Sequence, residues 1–111
     1  MYDVEIEYHE RVPIFILNST FKYFSEMKQL LEKEPINNSK EIIIDLSNFL
    51  KIDSDTLNNL TEIVKAYGNR INRFGVIIPK EVVIEGLKIK LIHNLIEIYE
   101  TKYDAIYNFL N

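Results

Sequence analysis

The segment Glu41-Ile42-Ile43-Ile44-Asp45-Leu46 narrows the folds open to this chain more than any other. Three consecutive β-branched residues favour an extended strand, and the side chains of a strand point alternately to its two faces. With isoleucine at all three positions, neither face can be left in water. The strand therefore belongs inside a sheet that is covered on both sides, by helices or by a helix and a loop.

The flanking segments supply the rest of such a sheet. Val4, Ile6 and Tyr8 alternate with Glu5, Glu7 and His9, the period-two pattern of a strand with one face in water. A second apolar run over residues 12–17, with Pro13 near its beginning, follows at once and predicts an antiparallel pair. Over residues 19–34 the apolar positions Phe21, Phe24, Met27, Leu30 and Leu31 fall mainly on one helical face, with Ser19 as cap and Pro35 as stop. Leu57, Leu60, Val64 and Tyr67 mark a second helix, and Gly68 sits where a helix would end in a left-handed residue.

Residues 71–78 read as a strand interrupted by Gly75 and stopped by Pro79. Residues 80–91 read as a third helix, with Val83, Leu87 and Leu91 four apart. A last strand over residues 95–99 precedes a helix that buries Ile106, Phe109 and Leu110, with Thr101 and Asp104 resembling a capping box. The order β-β-α-β-α-β-α-β-α predicts an α/β fold with a mixed, mostly parallel sheet joined by right-handed crossovers. The chain has 111 residues and shows no linker, repeat or low-complexity tract, so residues 1–111 are expected to form one domain.

Composition removes several function classes. Thirteen lysines and arginines face 17 acids for a net charge of −4, and Arg70 and Arg73 are the only arginines near one another, so a nucleic-acid surface is not expected. The absence of cysteine excludes disulfides, thiolate metal sites and cysteine nucleophiles, and suits a cytoplasmic protein. No stretch approaches the roughly 20 apolar residues of a membrane span, and the acidic N-terminus does not resemble a signal peptide. His9 and His93 lie in different elements and form no metal-ligand pair, so no metal is expected. Gly68, Gly75 and Gly86 form no phosphate-binding loop, and no nucleophile elbow occurs. No cofactor is expected, and tyrosine and phenylalanine at core spacing are explained by burial.

The stretch Ile52-Asp53-Ser54-Asp55-Thr56-Leu57 remains, at the carboxyl side of the buried strand and at the start of the second helix. Ligands of open α/β sheets bind at that end. A structural role also accounts for it: Asp53 or Ser54 accepts hydrogen bonds from the first-turn amides, and Asp55 opposes the positive end of the helix dipole.

These residues lie within a longer pattern, "EIIIDLSNFLKIDSDTLNNL", that resembles the STAS domain, the fold of anti-sigma factor antagonists. In that family a buried strand ending in Asp-Leu-Ser leads to an Asp-Ser-Ser/Thr-Gly-Leu loop and a helix. The likeness rests on Ile42 to Asp45, Leu46, Ser47, Ile52, Asp53, Ser54, Leu57 and Leu60, and downstream on Tyr99, Glu100 and Ala105 of "LIEIYETKYDAI". Aligned on the loop, Asp53 takes the family's acid, Ser54 its first hydroxyl, Asp55 its phosphorylated Ser or Thr, and Thr56 its glycine. A second departure follows the second strand. There the family's Gly-x-Leu-Asp turn is replaced by "NSTF", with Asn18 for the glycine and Phe21 for the acid.

The resemblance implies a non-enzymatic interaction module that binds a protein partner, commonly an anti-sigma switch kinase, through residues 51–56 and the exposed face of the second helix. Lys51, Asp53, Ser54, Asp55, Thr56, Asn58, Asn59 and Glu62 form this expected surface. Because Asp55 replaces the acceptor, only Ser54 and Thr56 offer neighbouring hydroxyls, and a shift of one residue turns a helical side chain by about 100 degrees. Asp55 mimics a phosphoserine only in part, with one charge against about −1.5 to −2. The alternative expectation is a STAS subunit with a structural role in a larger assembly, such as a lipid-transport ABC system or a stress-signalling complex. A small enzyme or small-molecule binder is disfavoured, because no nucleophile, metal set or phosphate loop is present.

Overall fold

A computed structural model describes residues 4–18, 23–84 and 95–111. In chain order the elements are β1 (Val4–His9), β2 (Val12–Leu17), α1 (Tyr23–Leu31), β3 (Glu41–Asp45), β4 (Lys51–Ile52), α2 (Ser54–Tyr67), β5 (Arg73–Ile77), β6 (Val83–Ile84), β7 (Glu97–Tyr99) and α3 (Lys102–Leu110). A short 3-10 turn, Ile36–Asn38, precedes β3. The main sheet has the order β1-β2-β3-β5-β7. β1 and β2 are antiparallel, and the remaining neighbours are parallel. The chain is thus an α/β protein with a mixed, mostly parallel sheet, as the element order predicts.

β3 occupies the centre, where its isoleucines require it to be. Ile42 and Ile44 pack with Met27 and Leu31 of α1 and with Leu57, Leu60, Ile63 and Val64 of α2. Ile43 points to the other face, where it joins Ile14, Ile77 and the α3 residues Ala105 and Phe109. One face of the sheet therefore carries α1 and α2, and the other carries α3. Ile106 and Leu110 are only partly buried on that second face. Pro13 is tolerated inside a central strand because the β2–β3 ladder begins one residue later, at Ile14.

Side chains at the amino ends of the parallel strands clamp α3. The Arg73 guanidinium donates to both Glu97 oxygens, with Nη2 2.7 Å from Oε1, and stacks 4.0 Å above the Phe109 ring. Tyr99 also donates to Glu97 Oε1 at 2.6 Å. The Arg73 partner holds the Glu97 carboxyl below its ordinary range, and burial of Tyr99 raises its phenol. On the same face Lys102 Nζ lies 2.8 Å from Glu7 Oε2, and this hydrogen bond lowers the Glu7 carboxyl.

The structure corrects several expectations. The helix predicted over residues 80–91 does not begin there. Val82 closes a turn onto the Pro79 carbonyl, and Val83–Ile84 runs parallel to Lys51–Ile52 as a second, two-stranded sheet. A β-branched run favours extended backbone, and the ladder with β4 supplies its hydrogen bonds. The remainder of that helix, with Leu87 and Leu91, lies outside the described residues, as do His93, Ser19 and Phe21. Gly68 is right-handed, at φ −62°, so the reason for glycine there is space: a Cβ would sit 2.9 Å from the Val64 carbonyl oxygen. The strands predicted over residues 71–78 and 95–99 are shorter, starting at Arg73 and Glu97.

Glu10 occupies the first position of the two-residue β1–β2 loop with φ 54°. A left-handed L-residue costs roughly 1–2 kcal/mol, whereas the extra chain entropy of glycine costs roughly 0.5–1 kcal/mol. Glu10→Gly is accordingly expected to stabilise the protein by about 0.5 kcal/mol, read as a higher urea midpoint with an unchanged slope.

Candidate functional site

The predicted loop lies where the carboxyl end of the sheet meets the start of α2. Asp45 ends β3 and is buried, and its Oδ1 accepts from both the Ser47 amide (2.9 Å) and the Ser47 hydroxyl (2.6 Å). This short turn bends the chain out of the sheet. The Leu46 amide still reaches the Ile77 carbonyl at 3.0 Å, and the Phe49 amide returns to the Leu46 carbonyl at 3.0 Å. Phe49 is buried, as is Ile52 of β4, so the loop is pinned at both ends. The β4–β6 ladder holds Lys51 and Ile52 from the side. Asn48 Nδ2 donates to Asn18 Oδ1 at 3.2 Å, bringing the end of β2 against the same loop.

Asp53 is the N-cap of α2, which decides between it and Ser54. Its extended backbone (φ −95°, ψ −179°) lets Oδ1 accept from the Thr56 amide and the Thr56 hydroxyl, each at 2.9 Å. These two bonds, the amide first, hold the Asp53 carboxyl below its ordinary value, with a smaller contribution from the Lys51 charge. Asp53→Ala is expected to cost about 1 kcal/mol at neutral pH. The folded state lowers the carboxyl, so its contribution is complete above the unfolded value and is lost as pH falls through the lower folded one. In urea titrations the difference between wild type and Asp53→Ala should therefore narrow below about pH 4.

Thr56 is 3% exposed, with its hydroxyl turned inward to Asp53. It lies on the buried side of α2, away from the surface formed by the other sequence-selected residues. Ser54, Asp55, Asn58 and Glu62 are exposed, as is Lys51, while Asn59 is half-buried. Asn59 Nδ2 donates to the Asp55 carbonyl at 2.9 Å. Glu62 faces Lys28 of α1 at 3.3 Å. Asp55, Asn58 and Glu62 recur at helical spacing, so the sequence-selected surface is one solvent-facing stripe that starts at the loop.

One exposed residue of the loop is not singled out by the sequence. Leu50 is 91% exposed, between buried Phe49 and the start of β4. Its only sequence signal is an apolar residue where a turn favours a polar one. His9 Nε2 lies 3.2 Å from Glu7 Oε2 on the α3 face of the sheet. No group of three metal-ligating side chains occurs among the described residues. Among those residues no helix is long and apolar enough to cross a membrane.

The central strand turns out through an Asp-Leu-Ser run into a capped helix, on a sheet whose edge pair is antiparallel. Solved structures of anti-sigma factor antagonists share this fold. An anti-sigma factor antagonist from Mycobacterium paratuberculosis superposes with a TM-score of 0.69 at 19% identity, over 97% of this chain and 93% of that one. A Thermotoga maritima protein assigned as an anti-sigma factor antagonist gives 0.72 at 22% identity, over 97% and 95%. A solution structure of the Thermotoga protein gives 0.65 at 21% identity, over 92% and 84%. The sequence matches no protein-family model and no curated protein.

Proposed function

We propose that this chain is a non-enzymatic, cytoplasmic, single-domain interaction module of the STAS type. It binds a regulatory protein, an anti-sigma switch kinase, through residues 51–56 and the exposed stripe of α2. The observation that carries this reading is the exposure of Ser54, Asp55, Asn58 and Glu62 on a pinned loop and helix, in the fold of anti-sigma factor antagonists. At the position of the family's phosphorylated hydroxyl stands Asp55, exposed in the first turn of α2. A carboxylate there is favourable to the helix dipole and cannot accept a phosphoryl group as an ester, so binding is not ended by phosphorylation. The same substitution supports a second reading, a subunit held permanently in a larger assembly.

The test is titration with the organism's purified anti-sigma kinases, followed by incubation with ATP. A kinase should bind the wild type without phosphorylating it, and Asp55→Ser should be phosphorylated. Phosphate found stoichiometrically at Ser54 of the wild type would contradict the unregulated loop. Failure of every kinase to bind would leave the assembly subunit as the better reading.

A further inference from the structure

β1 is the outermost strand of the main sheet, so one of its two hydrogen-bonding edges faces away from β2. The hairpin register decides which residues point there. A two-residue loop is closed by a hydrogen-bonded pair, here His9 and Val12, and such pairs alternate with non-bonded ones, so Glu7 and Glu5 also bond to β2. The backbone N–H and C=O of Val4, Ile6 and Tyr8 therefore point outward, and no described strand pairs with them. The complement of unpaired groups repeating every second residue is another extended backbone. An open groove of about 560 Å³, lined by Val4, Glu5, Ile6 and Leu30, gives the side chains of such a backbone a place beside α1.

Charge decides whose backbone it is. On the α3 side of β1 stand Glu5, Glu7 and, in the loop, Glu10; Lys102 and His9 answer Glu7, while Arg11 turns to Glu41. In α1 and the turn after it Lys28 faces Glu62 and Glu32 accepts from Tyr67, and the other charges are Glu26, Lys33 and Glu34. Acids outnumber lysines on both flanks. A second copy is disfavoured by register. Every antiparallel register that pairs two or more of Val4, Ile6 and Tyr8 with their equivalents sets Glu5 against Glu5, Glu5 against Glu7, or Glu7 against Glu7. Like charges directly opposite one another destabilise a strand pair. Nucleic acid and anionic lipid meet the same acids and offer no ladder.

We propose that the outer edge of β1 receives an extended segment of a partner protein in which apolar residues alternate with lysine or arginine. Its apolar side chains enter the groove beside Ile6 and Leu30, and its cations lie against Glu5 and Glu7 on the α3 side. This surface shares no residue with the 51–56 loop and the α2 stripe, and it does not rest on the functional reading above.

The probe is a synthetic peptide of alternating valine and lysine, added to the full chain and read by amide hydrogen exchange. At saturation it should slow exchange at Ile6 and Tyr8 by at least about tenfold and change Glu5 and Glu7, already bonded to β2, far less. Methylating the amide nitrogens of the valines, or those of the lysines, removes the donors of one peptide edge, so one of these two peptides should lose binding while the other keeps it. Glu5 is exposed, so Glu5→Lys should melt with the wild type, and it should weaken the valine–lysine peptide about threefold or more. No binding at millimolar peptide, uniform protection, or equal binding of a valine–glutamate peptide would overturn the proposal. Two results on the free protein would overturn it as well. Ile6 and Tyr8 amides that exchange slowly at every concentration would show the edge already covered, and amides that become slow only at high concentration would give it to a second copy.

Discussion

Replacing Phe109 by alanine is expected to cost about 3–5 kcal/mol of folding stability. The ring is buried against the sheet, lies edge-on to Tyr99 with centroids 6.2 Å apart, and carries the Arg73 guanidinium on its face. It is also the reason for glycine in β5: a Cβ on Gly75 would come within 2.8 Å of Phe109 Cζ and 3.2 Å of Ile43 Cγ1. Gly75→Ala should therefore destabilise by about 1–3 kcal/mol in the wild type through overpacking. In the Phe109→Ala background the same substitution finds the ring gone and should cost much less. Urea denaturation of the four proteins of this cycle measures the coupling, and simple additivity would show that the ring and the glycine are not partners.

Asp45→Ala is expected to cost about 1.5–3 kcal/mol, the range for hydrogen bonds to a charged group. Asp45→Asn keeps the Oδ1 acceptor and should lose under half of that. The effect should reach beyond stability, because the Ser47 bonds start the turn that carries the chain from β3 to Phe49, Leu50 and the α2 cap. Hydrogen exchange at the Phe49 amide, which closes onto the Leu46 carbonyl, should accelerate in Asp45→Ala by more than the change in global stability accounts for. Uniform acceleration across the protein would show that the turn has no local role.

Much of this architecture is legible in the residues themselves. Ile42 to Ile44 force a central strand covered on both faces. The alternation from Val4 to His9 reads as a strand with one face in water, a pattern that holds from Val4 to Ile6 and fails at Tyr8, which is exposed while Glu7 and His9 are half-buried. Caps are local chemistry, so the helix starts at Asp53 and Thr101 are written in the neighbouring residues: Thr101 Oγ1 accepts from the Asp104 amide at 3.1 Å. What is not legible depends on distant partners. Val83 and Ile84 fit a helical spacing until Lys51 and Ile52 offer them a ladder more than 30 residues away in sequence. Gly68 fits a left-handed cap by position, yet its glycine answers a carbonyl one turn earlier. The loop at Asp53 to Thr56 is recognisable by its motif. Which side chains of that motif face water, with Thr56 inward and Leu50 outward, is set by how the chain leaves the sheet, and composition carries no trace of it.

The placement of α2 and α3 on opposite faces of one sheet has a practical corollary. Asn111 follows α3 directly, so a biotin, dye or surface tether attached there is separated from the loop by the full thickness of the sheet. Immobilised in that orientation, the protein presents the Asp55 stripe outward, and its partner can be measured on the surface without the attachment competing for the same ground.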